Sequence, residues 1–198
     1  MWKMLITVPV LALSLCSLAM AELASSAEQP NVVWLISEDN STHYLSMFDP
    51  HGTDTPRIQQ LAKHGIQFNH AFSNAPVCSV ARTTLMTSCY APRIGTQFHR
   101  RAQVVPMPAG VKMFPAYLRE AGYYTTNNKK KDYNAQETPG TWDESSGKAS
   151  WRGRISGQPF FHMQSFGTTH ESSLHFSQDS YENDATETDP ESVFIPPY

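Results

Sequence analysis

Cys78 and Arg82 are the residues whose types and spacing suggest chemistry most directly. They stand four residues apart, so a helix would place both side chains on one face. A helix that began at Cys78 would direct free backbone N–H groups and its positive dipole end toward an anion such as sulfate or phosphate. Arg82 would then neutralise that anion or orient the side chain at position 78. The spacing alone favours a simpler alternative, which is a buried structural cysteine beside a surface arginine.

Glu38 and Asp39 form a second candidate group. They directly follow an apolar run that suits a buried strand, and open α/β sheets hold their ligands at the carboxyl ends of their strands. Two adjacent carboxylates supply the hard oxygen ligands that Ca²⁺ and Mg²⁺ prefer. The pair therefore predicts a divalent cation at the end of the first strand, and the alternative is a solvated acidic turn.

The segments that would position these residues alternate between strand and helix patterns. Residues 31–36 are apolar and branched, which suits a strand buried on both faces. Thr55 as a cap and Pro56 in the first turn predict a helix that Gly65 ends. Further helices are predicted at residues 78–86 and 115–121, and further strands at residues 66–68, 123–126 and 160–166. This alternation predicts an α/β fold with a mostly parallel sheet flanked by helices.

The first 30 residues differ from the rest of the chain. Lys3, an apolar run over residues 4–20 and the pattern Ala19-Met20-Ala21 predict a secretory signal peptide, residues 1–21. The run is short for a membrane anchor, so no stable span is expected after cleavage. Residues 22–30 form a polar leader before the domain at residues 31–198. The expected location is secreted or periplasmic.

Charge and cysteine content restrict the partners. The 198 residues carry a formal net charge of −3, so no broad basic surface is available for nucleic acid. Export leaves Cys78 and Cys89, and an oxidising compartment permits a disulfide between them. A single disulfide bond is too few to hold a domain of this size together, so the fold must depend on a hydrophobic core.

Five features occur in an order that resembles the sulfatases. They are an apolar strand ending in an acidic pair, a Thr-Pro helix, a Cys-x-x-x-Arg signature, a Gly-Tyr-x-Thr strand leading to a lysine, and a Pro-Phe-Phe strand followed by a histidine. The residues are Glu38-Asp39, Thr55-Pro56, Cys78-Ser79-Val80-Ala81-Arg82, Gly122-Tyr123-Tyr124-Thr125 with Lys130, and Pro159-Phe160-Phe161 with His170. Each feature alone is weak, whereas their common order is specific.

The resemblance implies an alkaline-phosphatase-like fold and hydrolysis of sulfate esters or sulfamates. It implies that a formylglycine-generating enzyme converts Cys78 to formylglycine, whose hydrated aldehyde is the nucleophile. Glu38, Asp39 and residue 78 would hold a divalent cation, Ca²⁺ or alternatively Mg²⁺. The implied substrate is a sulfated small molecule or glycan.

The resemblance also implies roles for three further side chains. Arg82 would position the formylglycine, while Lys130 and His170 would contact the sulfate group. Lys129 and Lys131 remain rivals of Lys130, because all three lie in one run. A solvated lysine run and a surface histidine are the alternatives.

Three departures from the family pattern bear on activity. Val80 stands where the family has Pro or Ala, at a position that the maturation enzyme recognises. Asp132 stands where many sulfatases have a histidine two residues after the lysine. The family completes its metal site with a later Asp–Asn pair and a second lysine, which have no match here. We therefore expect a catalytic domain that is incomplete at its C-terminus and a fragment with little or no activity alone.

Two other functions remain open. A metal-dependent phosphatase or phosphonate hydrolase of the same fold would act through an unmodified side chain. A non-catalytic protein would bind sulfated glycan without turnover, and a Cys78–Cys89 disulfide would support it. Fold alone does not decide between them.

A group of basic residues follows helix 78–86 in the sequence. It either flanks the pocket or belongs to a plain polar loop, and its members are His99, Arg100 and Arg101.

Overall fold

The computed structural model describes residues 29–100, 103–183, 191 and 194–195. The chain divides into Met1–Asn31 and a second unit, Val32–Tyr198, which contains the sheet. The signal peptide and most of the leader lie outside the described residues, so both assignments stay predictions.

A four-stranded parallel sheet organises the second unit. Its strands are β1 (Val32–Ser37), β2 (Tyr124–Asn128), β3 (Glu144–Ser145) and β4 (Phe160–Phe166). They lie in the order β1-β4-β2-β3, and each neighbouring pair is parallel. The strands β1, β2 and β4 fall where their branched and aromatic residues predicted them. The α/β fold with a parallel sheet is thereby confirmed.

The helices occupy the connections between the strands and the segment after β4. They are α1 (Pro56–Lys63), α2 (Cys78–Thr87), α3 (Ala91–Ile94), α4 (Phe114–Glu120) and α5 (Gln178–Glu182). Short 3₁₀ turns lie at Thr42–Tyr44, Trp151–Gly153 and Glu171–Leu174. Within the described residues, no helix has the length and apolar composition needed to cross a bilayer.

Helix α2 presents one continuous face to the interior. Its buried positions recur at the three- and four-residue spacing of a helical face. They are Ser79, Val80, Arg82, Thr83, Met86 and Thr87. The helix ends where Ser88 adopts a left-handed backbone with φ of 56°. Burial of this face fixes the rotation of the helix and therefore the direction of Cys78 and Arg82.

The hydrophobic core surrounds the central strand β4. Phe161 is 1% exposed and meets the rings of Trp34 and Phe114 edge-on, at centroid distances of 5.6 and 5.1 Å. Edge-to-face contacts of this kind are favourable arrangements for buried aromatic rings. The other buried members of the cluster are Met86, Met113, Tyr123, Ala135, Trp142 and Met163. The core thus joins α2 to the strands and holds the sheet edge in place.

Three local expectations are wrong. β1 is not buried on both faces: Val33 and Leu35 are 49% and 62% exposed, because no described element covers the face on which they lie. Ile66 and Phe68 lie in an exposed loop, because no described strand pairs with their backbone. Thr55 precedes α1 as predicted, but its side chain forms no capping hydrogen bond.

Candidate active site

Three parallel strands end at one edge of the sheet, and predicted site residues follow their ends. Glu38 comes directly after β1, Lys130 follows β2, and His170 follows β4. Because the carboxyl ends of parallel strands meet at the same edge, these side chains converge. Ligand atoms of Glu38, Cys78 and His170 all lie within 4.8 Å of one another. The structure therefore brings together residues that are up to 132 positions apart in the sequence.

Cys78 is the first residue of α2 and its thiol is half-buried. The Sγ atom lies 3.8 Å from Oδ1 of Asp39. Cys78 and Cys89 are both free thiols, so the disulfide that would support a non-catalytic function is not formed. The start of α2 thus places the thiol of Cys78 next to the carboxylates that follow β1.

Glu38 is almost fully buried, and two cations accompany it. Its Oε2 accepts a hydrogen bond from Nζ of Lys130 at 2.5 Å, and its Oε1 accepts one from Nη1 of Arg82 at 3.3 Å. The Glu38 and Arg82 side chains are only 5% and 8% exposed, and Lys130 is 20% exposed. A buried carboxylate is tolerated only when it is paired in this way. Glu38 thus anchors the cationic side of the site.

Arg82 also organises the loop that carries the lysines. Its Nε donates to the carbonyl of Lys131 at 2.9 Å, and its Nη2 donates to the carbonyl of Lys130 at 2.6 Å. The ammonium of Lys131 turns away to Glu137, and the side chain of Lys129 lies beside Gly147. Of the three rival lysines, Lys130 is therefore the one whose ammonium enters the site.

Asp39 and His170 form the opposite side of the site. Asp39 adopts a left-handed backbone with φ of 52°, and its Oδ2 accepts a hydrogen bond from the backbone N–H of Glu171 at 2.9 Å. Nε2 of His170 lies 3.9 Å from the same oxygen. Nδ1 of His170 accepts from the backbone N–H of Ser172 at 3.2 Å. In the neutral ring the proton therefore lies on Nε2, which makes His170 a donor toward the site.

Thr169 is a structural contributor that the sequence did not single out. Its Oγ1 donates to the carbonyl of Glu38 at 2.5 Å and lies 3.1 Å from Oγ of Ser37. These contacts join the segment after β4 to the end of β1. The only sequence signal was its position just before His170. Thr169 thus fixes the backbone that presents Glu38 and Asp39.

A cavity of about 460 Å³ opens beside Asp39 and His170. Its walls combine polar side chains with the ring of Tyr44 and the side chain of Leu174. The complete lining comprises Asp39, Asn40, Tyr44, Thr168, Thr169, His170, Glu171, Ser173 and Leu174. Because the cavity adjoins two predicted site residues, Asp39 and His170, it can receive the part of a ligand that extends beyond them.

The predicted metal ligands fit a hard divalent cation in part. Glu38 and Asp39 present carboxylate oxygens next to residue 78, which is the chemistry that Ca²⁺ prefers. Both oxygens of Glu38 already accept from cations, so a metal ion would compete with Arg82 and Lys130 for that carboxylate. Two carboxylates also supply fewer oxygens than the six to eight that Ca²⁺ takes. A cation bound by these residues alone would be held weakly.

Comparison with known proteins identifies the family. Residues 30–189 match the sequence model of the Sulfatase family. An "Ulvan-active sulfatase" of Formosa agariphila is 38% identical over 158 residues, covering 74% of this chain and 26% of that protein. The N-acetylgalactosamine-6-sulfatase of Homo sapiens is 30% identical over 110 residues, covering 50% of this chain and 21% of that protein. The chain thus spans about a quarter of the length of these curated relatives.

Solved structures share the fold. A 2-O GAG sulfatase superposes with a TM-score of 0.61 at 15% identity, covering 86% of this chain and 40% of that one. A protein solved with its substrate D-glucosamine-2-N,6-O-disulfate superposes with a TM-score of 0.59 at 19% identity, covering 73% of this chain and 35% of that one. The alkaline-phosphatase-like fold that the resemblance implied is therefore confirmed.

Proposed function

The chain belongs to the sulfatase family, and we propose that it supplies the nucleophile-bearing part of a hydrolase for sulfate esters or sulfamates of glycans. The observation that carries this proposal is the position of Cys78. Its Sγ atom lies at the start of a helix, 3.8 Å from Asp39 and beside the Glu38 carboxylate that Arg82 and Lys130 hold. The curated relatives named above, an ulvan-active sulfatase and an N-acetylgalactosamine-6-sulfatase, support a sulfated glycan as substrate.

Residue 78 is proposed to act as formylglycine, made by a formylglycine-generating enzyme, which supplies a hydrated aldehyde oxygen as nucleophile. Asp39 is close enough to accept a proton from a hydroxyl group at this position. Arg82 positions residue 78 indirectly, because its guanidinium holds Glu38 and the loop of Lys130 around the start of α2. The buried face of α2 prevents the nucleophile from rotating away.

Lys130 and His170 are proposed to bind the sulfate group. The Lys130 ammonium is directed into the site by Glu38, and His170, whose Nδ1 accepts from the backbone N–H of Ser172, presents its Nε2 proton. Both donors are recessed, at 20% and 14% exposure, so water competes with a bound anion less than at the surface. Together they stabilise negative charge on the sulfate oxygens and on the leaving oxygen.

A divalent cation, Ca²⁺ or Mg²⁺, would be held by Glu38, Asp39 and residue 78, where it supplies Lewis-acid charge for the sulfate oxygens. Asp39 is the more available carboxylate, since it is 36% exposed and its Oδ2 accepts only one short hydrogen bond among the described contacts. Export through residues 1–21 would place the protein in the secreted or periplasmic space, where Ca²⁺ is available.

The test compares sulfate release with phosphate release. The chain is produced together with a formylglycine-generating enzyme and incubated with 4-nitrophenyl sulfate and with 4-nitrophenyl phosphate. We expect slow release of sulfate, because two carboxylates hold the cation weakly, and no release from Cys78→Ala. Cys89→Ala is the matched control and should retain the wild-type rate.

The alternatives give different results in this assay. Release of phosphate by a chain whose Cys78 remains a thiol would identify a phosphatase or phosphonate hydrolase. Binding of sulfated glycan without release of either product, by a chain whose residue 78 remains a thiol, would identify a non-catalytic protein. Either outcome contradicts the proposed function.

A further inference from the structure

A loop arginine is bound to the residue that follows the nucleophile. The backbone N–H of Arg100 donates to Oγ of Ser79 at 3.2 Å, and Ser79 directly follows Cys78. The same Oγ lies 2.9 Å from Nδ1 of His99. Ser79 is 1% exposed, so this connection is protected from water. The loop at residues 99–100 is therefore fixed to the first turn of α2.

The guanidinium of Arg100 is held by a second side chain. Its Nε lies 3.4 Å from Oδ1 of Asp132, and its Nη2 lies 3.5 Å from Oδ2, which is the parallel arrangement of an arginine–carboxylate pair. Asp132 is 17% exposed, whereas Arg100 is 55% exposed. Among the residues that the structure describes, no acceptor contacts Nη1. The pair therefore presents one edge of the guanidinium to a ligand in solvent.

Electrostatics and backbone geometry support a functional position. The hydrogen bonds and charge of Asp132 raise the pKa of Arg100, and Cys78 and Glu171 add smaller contributions in the same direction. Glu171 also lines the cavity beside Asp39 and His170. Arg100 and Asp132 both have left-handed backbones, with φ of 44° and 50°. Such strain in residues other than glycine concentrates at functional sites.

Exposure separates Arg100 from the proposed sulfate donors. Lys130 and His170 are 20% and 14% exposed, whereas Arg100 is 55% exposed. The loop of Arg100 is fixed to the first turn of α2, so a substrate whose scissile sulfate reached residue 78 and the recessed donors could extend toward Arg100 as well as into the cavity beside Asp39 and His170. A planar guanidinium recognises carboxylate and sulfate groups through two parallel hydrogen bonds.

We propose that Arg100, positioned by Asp132, binds a second anionic group of the substrate, a carboxylate or a second sulfate, next to the sulfate that is cleaved. This inference rests on the proposed function, because it takes Cys78 as the reacting position. Arg100 is thereby a specificity-determining residue, and Asp132 is the residue that orients it.

The test measures binding of three oligosaccharides to the full chain by isothermal titration calorimetry. They are a sulfated disaccharide that contains a uronic acid, its carboxyl-reduced counterpart, and a neutral disaccharide with two sulfates. We expect the wild type to bind the uronic acid or the doubly sulfated compound about fivefold more tightly than the carboxyl-reduced one, as suits one half-exposed ion pair. The compound that shows the preference identifies the second group as carboxylate or sulfate.

The variants assign the preference to a residue. Arg100→Gln should abolish it while leaving affinity for the carboxyl-reduced compound unchanged, and Asp132→Asn should reduce it to about twofold because the charge remains but its orientation is lost. Arg57→Gln, an exposed arginine of α1, is the matched control and should keep the wild-type preference.

Two results would overturn the inference. Equal binding of all three compounds by the wild type contradicts it and leaves the proposed function standing. Equal weakening of all three compounds by Arg100→Gln means that Arg100 contacts the scissile sulfate instead. Failure of the wild type to bind any sulfated oligosaccharide would contradict both the inference and the proposed function.

Discussion

Replacement of Arg82 by methionine should destabilise the fold as well as the site. Methionine retains much of the apolar stem but removes every donor of the guanidinium. The Glu38 carboxylate, 5% exposed, would lose one of its two cations, and the carbonyls of Lys130 and Lys131 would lose their hydrogen-bond donors. Removal of one partner of a buried ion pair costs about 3–5 kcal/mol. The free energy of unfolding of a typical domain is about 5–15 kcal/mol, so a large part would be lost.

Urea unfolding followed by tryptophan fluorescence measures this loss, because Trp34 and Trp142 pack around Phe161 in the core. Arg82→Lys should lower the free energy of unfolding by a smaller amount, about 1–3 kcal/mol, because lysine keeps the charge but cannot form all three hydrogen bonds of the guanidinium. This milder variant keeps the comparison measurable if Arg82→Met does not fold.

The matched control is Arg119→Met on α4. Arg119 contacts Asp143 at 2.7 Å, which is shorter than the 3.3 Å between Arg82 and Glu38, but the two side chains are 34% and 23% exposed. We expect burial, and not distance, to decide which ion pair contributes more to stability. Arg119→Met should therefore lower the free energy of unfolding by only about 1 kcal/mol. An equal loss for Arg119→Met and Arg82→Met would show that burial of the Glu38–Arg82 pair does not set its contribution to stability, and so would a loss below about 1 kcal/mol for Arg82→Met.

Three further predictions concern stability, pH and metal binding. Thr83→Val should lower the free energy of unfolding by about 1–3 kcal/mol, because the buried Oγ1 of Thr83 accepts a hydrogen bond from a backbone N–H at 2.8 Å. Thr84→Val, on the more exposed face of the helix, should lower it by less than about 1 kcal/mol. Burial lowers the pKa of His162 below its ordinary 6.5, so the folded state binds fewer protons than the unfolded state. The contribution of His162 to the free energy of unfolding should therefore be fully present above pH 6.5 and decrease as the pH falls below that value. His162→Gln should flatten this pH dependence. Millimolar Ca²⁺ should raise the melting temperature, and EDTA should reverse the effect. Asp39→Asn should abolish this response, whereas the control variant Asp49→Asn should keep it. A response to Ca²⁺ that survives in Asp39→Asn would contradict the proposed cation site.

The sequence predicted the elements whose signals are local. β4 spans residues 160–166, as predicted, and α2 begins at the cysteine as expected. The errors concern tertiary contacts. The segment around Ile66 has strand-like residues but pairs with no described strand, and Val33 is exposed because no described element covers its face of β1. Strand propensity indicates a preference, while pairing and coverage depend on distant parts of the chain.

The site residues were predicted by their order in a family pattern, and their interactions were not. Arg82 and Lys130 meet Glu38 across 44 and 92 residues of sequence, so no local spacing could indicate that they share one carboxylate. The choice among three consecutive lysines likewise required the structure. The pairing of Arg100 with Asp132 had no sequence signal beyond the charges themselves.

The proposed hydrolase depends first on the chemical identity of residue 78. Peptide mass spectrometry of the chain produced together with a formylglycine-generating enzyme measures it, and Val80→Pro, which introduces the family residue, serves as the positive control for conversion. We expect formylglycine at residue 78 in the wild-type chain. An unmodified thiol at Cys78, with conversion only in Val80→Pro, would rule out the proposed function of this chain, because the nucleophile would be absent.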